Sequence, residues 1–296
     1  MSQTHKYTVF IGVLIIVIGF GILYYPYTFK TNQTIILTKS ISNNYDSNQI
    51  EYPSTSFFLN IGKYYQWMQQ LQVSLDQAAK SRQGVIGNIA WHPTQLYYYA
   101  RSASYRWVSN ICEIGYGAGH STLLYLSMNP KAHVYSFDLF PNNTDDKIHT
   151  PGETLAYQQA FQQVTLNSII NDKELNSRFH KIVGNSNTAV PKFIEENPEI
   201  KCDVISIDGS HHPPQPYFDM LHSQKFAHKQ SIVLLDDMHD GGLKGDFKKA
   251  IQEGILSQYE CLIAESRVDT LFSSTGQYHK EFCAARYQNV PDRQNS

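Results

Sequence analysis

Ile111-Cys112-Glu113-Ile114-Gly115-Tyr116-Gly117-Ala118-Gly119-His120-Ser121-Thr122 reads as a buried strand that closes beside an acid and runs into a glycine-rich loop. Glycines at 115, 117 and 119 allow positive φ and let backbone N–H groups approach a ligand with no Cβ in the way. Ser121 or Thr122 is placed to start the helix that follows. Such a loop suits a nucleotide-like cofactor. Its spacing disfavours a dinucleotide, whose fingerprint is G-x-G-x-x-G/A, because His120 stands where the last small residue would fall. A glycine triplet alone also fits a plain strand-to-helix turn, so the residues downstream decide.

Downstream, short apolar runs alternate with helix-like segments: Ile111–Ile114, Val134–Phe137, Lys181–Val183, Val204–Ile207, Ile232–Leu235, Glu260–Ala264 and Glu281–Arg286. Near-continuous apolar strands separated by helices imply a parallel sheet covered on both faces. The last two runs lie close together with no obvious helix between them, so the final strand is expected to enter antiparallel. Upstream, Tyr64, Trp67, Met68, Leu71 and Leu75 form a helical stripe within Ile61–Ala79, and a second helix is expected at Thr94–Ala103.

The whole chain has 296 residues, with Lys+Arg 24 against Asp+Glu 26, which gives no basic excess for nucleic acid. Twenty Tyr and fifteen Phe fit aromatic packing in a sheet better than a special pocket. Cys112, Cys202, Cys261 and Cys283 show neither C-x-x-C nor zinc spacing and fall in or beside apolar runs, so buried thiols are expected rather than a disulfide framework.

The N-terminal region reads differently. No charged residue occurs from Tyr7 to Phe29, and twelve positions of Val9–Tyr25 are Ile, Leu, Val or Phe. At about 0.3–0.6 kcal/mol each, these favour membrane insertion by roughly 4–7 kcal/mol. The run ends in Tyr24-Tyr25-Pro26-Tyr27 rather than a small-residue cleavage site, which argues for an anchor over a signal peptide. The expected organisation is a membrane anchor at 1–29, a polar stem at 30–56 and a catalytic domain at 57–296. Lys6 on one side and Lys30 and Lys39 on the other leave orientation open. The sequons at Asn32 and Asn142 suit a lumenal domain, hence a single-pass type II protein of the secretory pathway.

In open α/β sheets ligands bind beyond the carboxyl ends of the strands. Strand two ends in Asp138, nineteen positions after Gly119, where a carboxylate can accept ribose hydroxyls. Strand three is followed by Gly184-Asn185-Ser186, strand four by Asp208-Gly209-Ser210-His211-His212, and strand five by Asp236-Asp237-Met238-His239-Asp240. Adjacent strands four and five would bring Asp208, Asp236 and Asp237 together. Carboxylates roughly 4–5 Å apart repel by a few kcal/mol per pair even at an effective dielectric near 20, so the cluster needs a cation or a proton. Oxygen ligands favour Mg²⁺ or a similar hard ion.

These motifs together resemble the class I S-adenosylmethionine (SAM) dependent methyltransferases, and among them the metal-dependent O-methyltransferases of the macrocin and, more distantly, catechol type. The resemblance runs from about residue 90 to 287. It rests on Glu113-Ile114-Gly115-x-Gly117-x-Gly119, Asp138, Asp208-Gly209-Ser210-His211 and Asp236-Asp237. It implies a Rossmann-like seven-stranded sheet with helices on both faces, placed after the expected transmembrane helix. SAM would be held by Glu113, Gly115, Tyr116, Gly117, Gly119, Ser121, Asp138, Asn185 and Ser186. A divalent cation such as Mg²⁺ would sit on Asp208, Asp236 and Asp237, with His211 as base beside Asp208. The family often has an acid where Asn185 stands and Glu where Asp236 stands.

The implied reaction is methylation of a hydroxyl on a small molecule or sugar; a homodimer is left open. His212 and His239 are the reserve bases. Three rivals are weaker: an NAD-dependent oxidoreductase would share the loop and Asp138 but not its spacing, a membrane-tethered binding protein would keep the fold without activity, and a glycosyltransferase would need a D-x-D after a strand.

Overall fold

The computed structural model describes residues 55–79, 89, 92–139, 155–264 and 280–293, all within the compact unit Glu51–Ser296. Helix α1 (Thr55–Ala79) begins six residues before the expected stripe, and α2 (Pro93–Ser104) starts on a proline, whose missing N–H costs nothing in a first turn. Then follow β1 (Asn110–Ile114), α3 (His120–Met128), β2 (His133–Asp138), α4 (Leu155–Asn171), α5 (Lys173–Arg178), β3 (Phe179–Val183), α6 (Ser186–Glu196), β4 (Val204–Ile207), α7 (Gln215–Ser223), β5 (Ile232–Leu235), α8 (Gly241–Gln252), β6 (Leu256–Ala264) and β7 (Lys280–Tyr287).

All seven expected strands join one mixed sheet in the order β3-β2-β1-β4-β5-β7-β6. The first five are parallel, and β7 enters antiparallel between β5 and β6. The central strands β4 and β5 are buried along their whole length because helices cover both faces. Cys112, Ile114, Ile205, Ile207, Val233 and Leu235 pack with Val190 of α6, Met220 of α7 and Leu243 and Phe247 of α8. The alternate residues Ile111, Val204 and Leu234 are equally buried. Strand pairing brings the carboxyl ends of β1, β2, β4 and β5 to one edge, where the polar residues cluster.

Two expectations are corrected. The four cysteines are not thiols: Cys112 pairs with Cys202 and Cys261 with Cys283. Cys112 lies in β1 and Cys202 just before its neighbour β4, while Cys261 and Cys283 are direct partners across β6 and β7. Sheet pairing, invisible in sequence spacing, sets both bridges. The expected localisation as a single-pass membrane protein is also overturned, since no helix among the described residues is long and apolar enough to cross a membrane. The anchor at 1–29 and nearly all of the stem at 30–56 lie outside the described residues, as does the sequon at Asn142.

Candidate active site

The glycine loop is shaped by what lies behind it. An added Cβ on Gly115, at φ +93°, would fall 1.9 Å from the carbonyl oxygen of Asp208, so the chain leaving β1 touches the chain leaving β4. A Cβ on Gly119, at φ +82°, would meet the Tyr116 ring at 2.5 Å. Gly119 itself caps α3 in the left-handed conformation, the role expected of Ser121 or Thr122. Gly117 differs: its φ is +53°, yet a Cβ there meets nothing within 4 Å. The open side of the loop is therefore at Gly117.

Ser121 and Thr122 turn inward instead, onto Glu113. That carboxylate is fully buried and accepts from Ser121 Oγ, Thr122 Oγ1 and, at 2.6 Å, Ser136 Oγ, which the β1–β2 register sets directly opposite. Burial, against those hydroxyls, raises its pKa to about 7. Glu113 and Ser121 thus hold the loop from behind. Tyr116 also points inward, packed on Leu166 and Phe179. Asp138 braces the front: its Oδ2 accepts the N–H groups of Tyr116 at 2.8 Å and Gly117 at 3.2 Å. The open glycine and the adjoining carboxylate form a cradle with room for a ligand at Gly117.

Next to it, Asn185 caps α6 by accepting the N–H of Asn187 at 3.0 Å. Ser186 Oγ accepts from Gln215 Nε2 at 2.8 Å, and the same amide donates to Asp219 Oδ1 at 2.8 Å. Burial, relieved in part by Ser186 and Gln215, raises the Asp219 carboxyl to about 6.

Asp208, His211 and Asp237 come together, with donor atoms all within 4.8 Å of one another. His211 Nε2 lies 3.4 Å from Asp237 Oδ2, and His239 Nδ1 lies 3.8 Å from Asp237 Oδ1. His212 is exposed and donates its backbone N–H to Ser210 Oγ at 3.3 Å. Burial raises the Asp208 carboxyl well above the usual range, and the charges of Asp236 and Asp237 raise it further. Asp237 adopts φ +49°, a left-handed conformation that Asp tolerates better than most side chains.

Two residues were not anticipated from the sequence. The first is Lys280, the first residue of β7, whose Nζ lies 3.1 Å from Asp236 Oδ2 and 3.3 Å from Asp237 Oδ1. It is only 5% exposed. Burial alone would lower its pKa, but Asp236, Asp237 and Asp208 outweigh that and raise it. The second is Gln95 of α2, fully buried, which donates to Asp236 Oδ1 at 2.8 Å. The Asp237 N–H donates to the same oxygen at 2.7 Å. Both oxygens of Asp236 are therefore engaged by protein donors. A divalent ion held by all three carboxylates does not fit this arrangement, because an ammonium stands against two of them.

Residues 112–238 match a family model described as a methyltransferase domain. Among solved structures, cofactor-bound Rv0187 from MTB is 15% identical, with a TM-score of 0.51 over 83% of this chain and 100% of that one. The fold is that of the class I SAM-binding methyltransferases. SAM is its cofactor. The O-methyltransferase from Bacillus cereus in complex with SAH is 13% identical, with a TM-score of 0.48 over 86% of this chain and 100% of that one. TrmN from Thermus thermophilus is 14% identical with a TM-score of 0.44; the match covers 66% of this chain and about half of that one, 49%. No curated protein sequence matches the chain.

Proposed function

We propose that residues 57–296 form a SAM-dependent methyltransferase acting on a hydroxyl of a small molecule or sugar, with His211 as its base. The observation that carries this is the direct abutment of the two halves of the site, since Gly115 of the cofactor loop lies against the backbone of Asp208, three residues before His211. Methyl acceptor and cofactor would thus meet over one short stretch of main chain.

Gly115, Gly117 and Gly119 would carry the cofactor loop, Asp138 would take the ribose hydroxyls, and Asn185 and Ser186 would meet the adenine. Bound there, SAM supplies an electrophilic methyl group on a sulfonium. The protein's own task is to place the acceptor oxygen in line and remove its proton. With a proton on Nε2 facing Asp237, His211 Nδ1 is left to accept the hydroxyl proton. The carboxylate of Asp237 then stabilises the imidazolium that forms. The metal set that the sequence resemblance implies would need Asp236, which Gln95 and Lys280 occupy, so no step of this proposal is routed through a metal.

The test is calorimetric binding of SAH and NAD, followed by transfer of labelled methyl from SAM to catechol and sugar acceptors. SAH should bind and NAD should not. His211→Ala should leave SAH affinity unchanged and reduce kcat on an accepted substrate by about 10²–10⁴-fold. Binding of NAD in preference to SAH would overturn the reading.

A further inference from the structure

We infer that Lys280 is the built-in cation of the acid cluster, doing for Asp236 and Asp237 what a divalent metal ion would otherwise do. Three acids at the ends of β4 and β5 cannot all be ionised at close range without positive charge nearby. The sheet supplies that charge. Leu235 of β5 pairs with Cys283 of β7, and the antiparallel register carried past the end of β5 brings Lys280 beside the Asp236-Asp237-Met238 corner. The Met238 N–H donates to the Glu281 carbonyl at 2.7 Å, and Lys244 Nζ holds the Glu281 carboxylate at 2.7 Å, so the first turn of chain into β7 is tied to both β5 and α8.

The ammonium is buried and contacts both carboxylates, and Gln95 closes the remaining oxygen of Asp236. Lys280 is thereby a positioning residue. It fixes Asp237, whose other oxygen faces His211. Truncating it would leave the buried carboxylate of Asp236 and the half-buried one of Asp237 without their shared ammonium, a loss that a proton or an added cation would offset.

The metal response of the variants follows from the cluster geometry alone, whereas the positioning of Asp237 against His211 matters to catalysis only on the methyltransferase reading. The experiment compares thermal melting and calorimetric titration with MgCl₂ and MnCl₂ for the native chain, Lys280→Arg, Lys280→Met and Lys280→Met with Asp236→Asn. SAH binding is measured in parallel. The native chain and Lys280→Arg should show no stabilisation by millimolar metal and no loss of SAH binding with chelator. Lys280→Met should melt lower and recover with metal. Adding Asp236→Asn should restore melting and remove the metal response, because one charge has been deleted with its partner. If Lys280→Met does not fold, recovery of folding in the double variant still tests the charge balance.

The inference is overturned if native protein binds metal and His211→Ala or Asp236→Asn abolishes it. It is also overturned if the double variant is as unstable as Lys280→Met. Failure of SAH to bind the native chain would sink the cofactor reading and leave the metal comparison intact.

Discussion

Asp138 Oδ2 accepts the backbone N–H of Tyr116 at 2.8 Å, so the end of β2 holds the cofactor loop that leaves β1. Two roles therefore meet in one carboxylate: bracing the loop and, in the proposed complex, accepting ribose hydroxyls. Substitution separates them. Asp138→Asn keeps an acceptor for the loop but loses the charge, and should weaken SAH binding about tenfold, as expected for a charge-assisted hydrogen bond. Asp138→Ala should cost a further tenfold or so and lower the melting temperature as well. Equal affinity of both variants and the native chain for SAH, by calorimetry, would remove Asp138 from the site.

The three loop glycines should fail in different ways. Gly115→Ala drives a Cβ into the Asp208 carbonyl at a positive φ and should destabilise by about 2–6 kcal/mol, the combination of strain and overpacking. Gly117→Val meets open space, so it should cost only the strained φ, about 1–3 kcal/mol, while abolishing SAH binding by filling the ligand's path. The diagnostic is a folded Gly117→Val protein with no affinity for SAH. Tight binding by that variant would place the cofactor elsewhere.

Burial on both faces makes β5 an unbroken apolar run and β4 one interrupted only by Ser206, and such runs, with their polar ends Asp208 and Asp236-Asp237, are readable from sequence. The glycine spacing is legible because all three glycines take a positive φ, and Gly115 also lies against the Asp208 backbone. Partnership across distance was not. Lys280 carries no local signal as a site residue; only the antiparallel entry of β7 beside β5 brings it to the carboxyl end of the sheet. The sequence predicts an antiparallel final strand but starts it at Glu281, one residue past Lys280. Motif position makes Glu113 a cofactor contact but does not show which way its side chain turns; the register opposite Ser136 places it behind the loop.

The two disulfides should differ in accessibility. Cys112 and Cys202 are both fully buried, whereas Cys261 is only partly covered on the outer strand β6. Limited reduction of the native protein should open Cys261–Cys283 first, as read by alkylation and peptide mass. Cys112–Cys202 should open only when the fold does. Its sequence separation of 90 residues makes it the more stabilising bridge, up to about 4–5 kcal/mol by loop-closure entropy. The double variant Cys112→Ala with Cys202→Ala should accordingly show the larger fall in melting temperature. The opposite order of alkylation would contradict the burial.

Glu113 should leave a mark on stability against pH. Burial raises its carboxyl from 4.5 to about 7 in the folded protein. Between those values the folded state holds a proton that the unfolded chain releases, so this group's contribution falls as pH rises from about 4.5 to 7 and stays lost above. His120 acts in the other direction. Burial lowers its pKa from 6.5 to about 4, so its contribution is present above about 6.5 and is lost as pH falls toward 4. The two slopes overlap in the native chain, and Glu113→Gln isolates one of them. Glutamine keeps an acceptor oxygen and presents an NH₂ group to the neighbouring hydroxyls, which can turn to accept. The variant should match the native protein near pH 4.5 and gain on it steadily to pH 7, by an amount on the order of 3 kcal/mol at most. Thermal melting of both proteins from pH 4.5 to 8 measures the difference. A gap that stays constant across that range would mean that Glu113 remains ionised beneath the loop, and the hydroxyls of Ser121, Thr122 and Ser136 would then outweigh its burial.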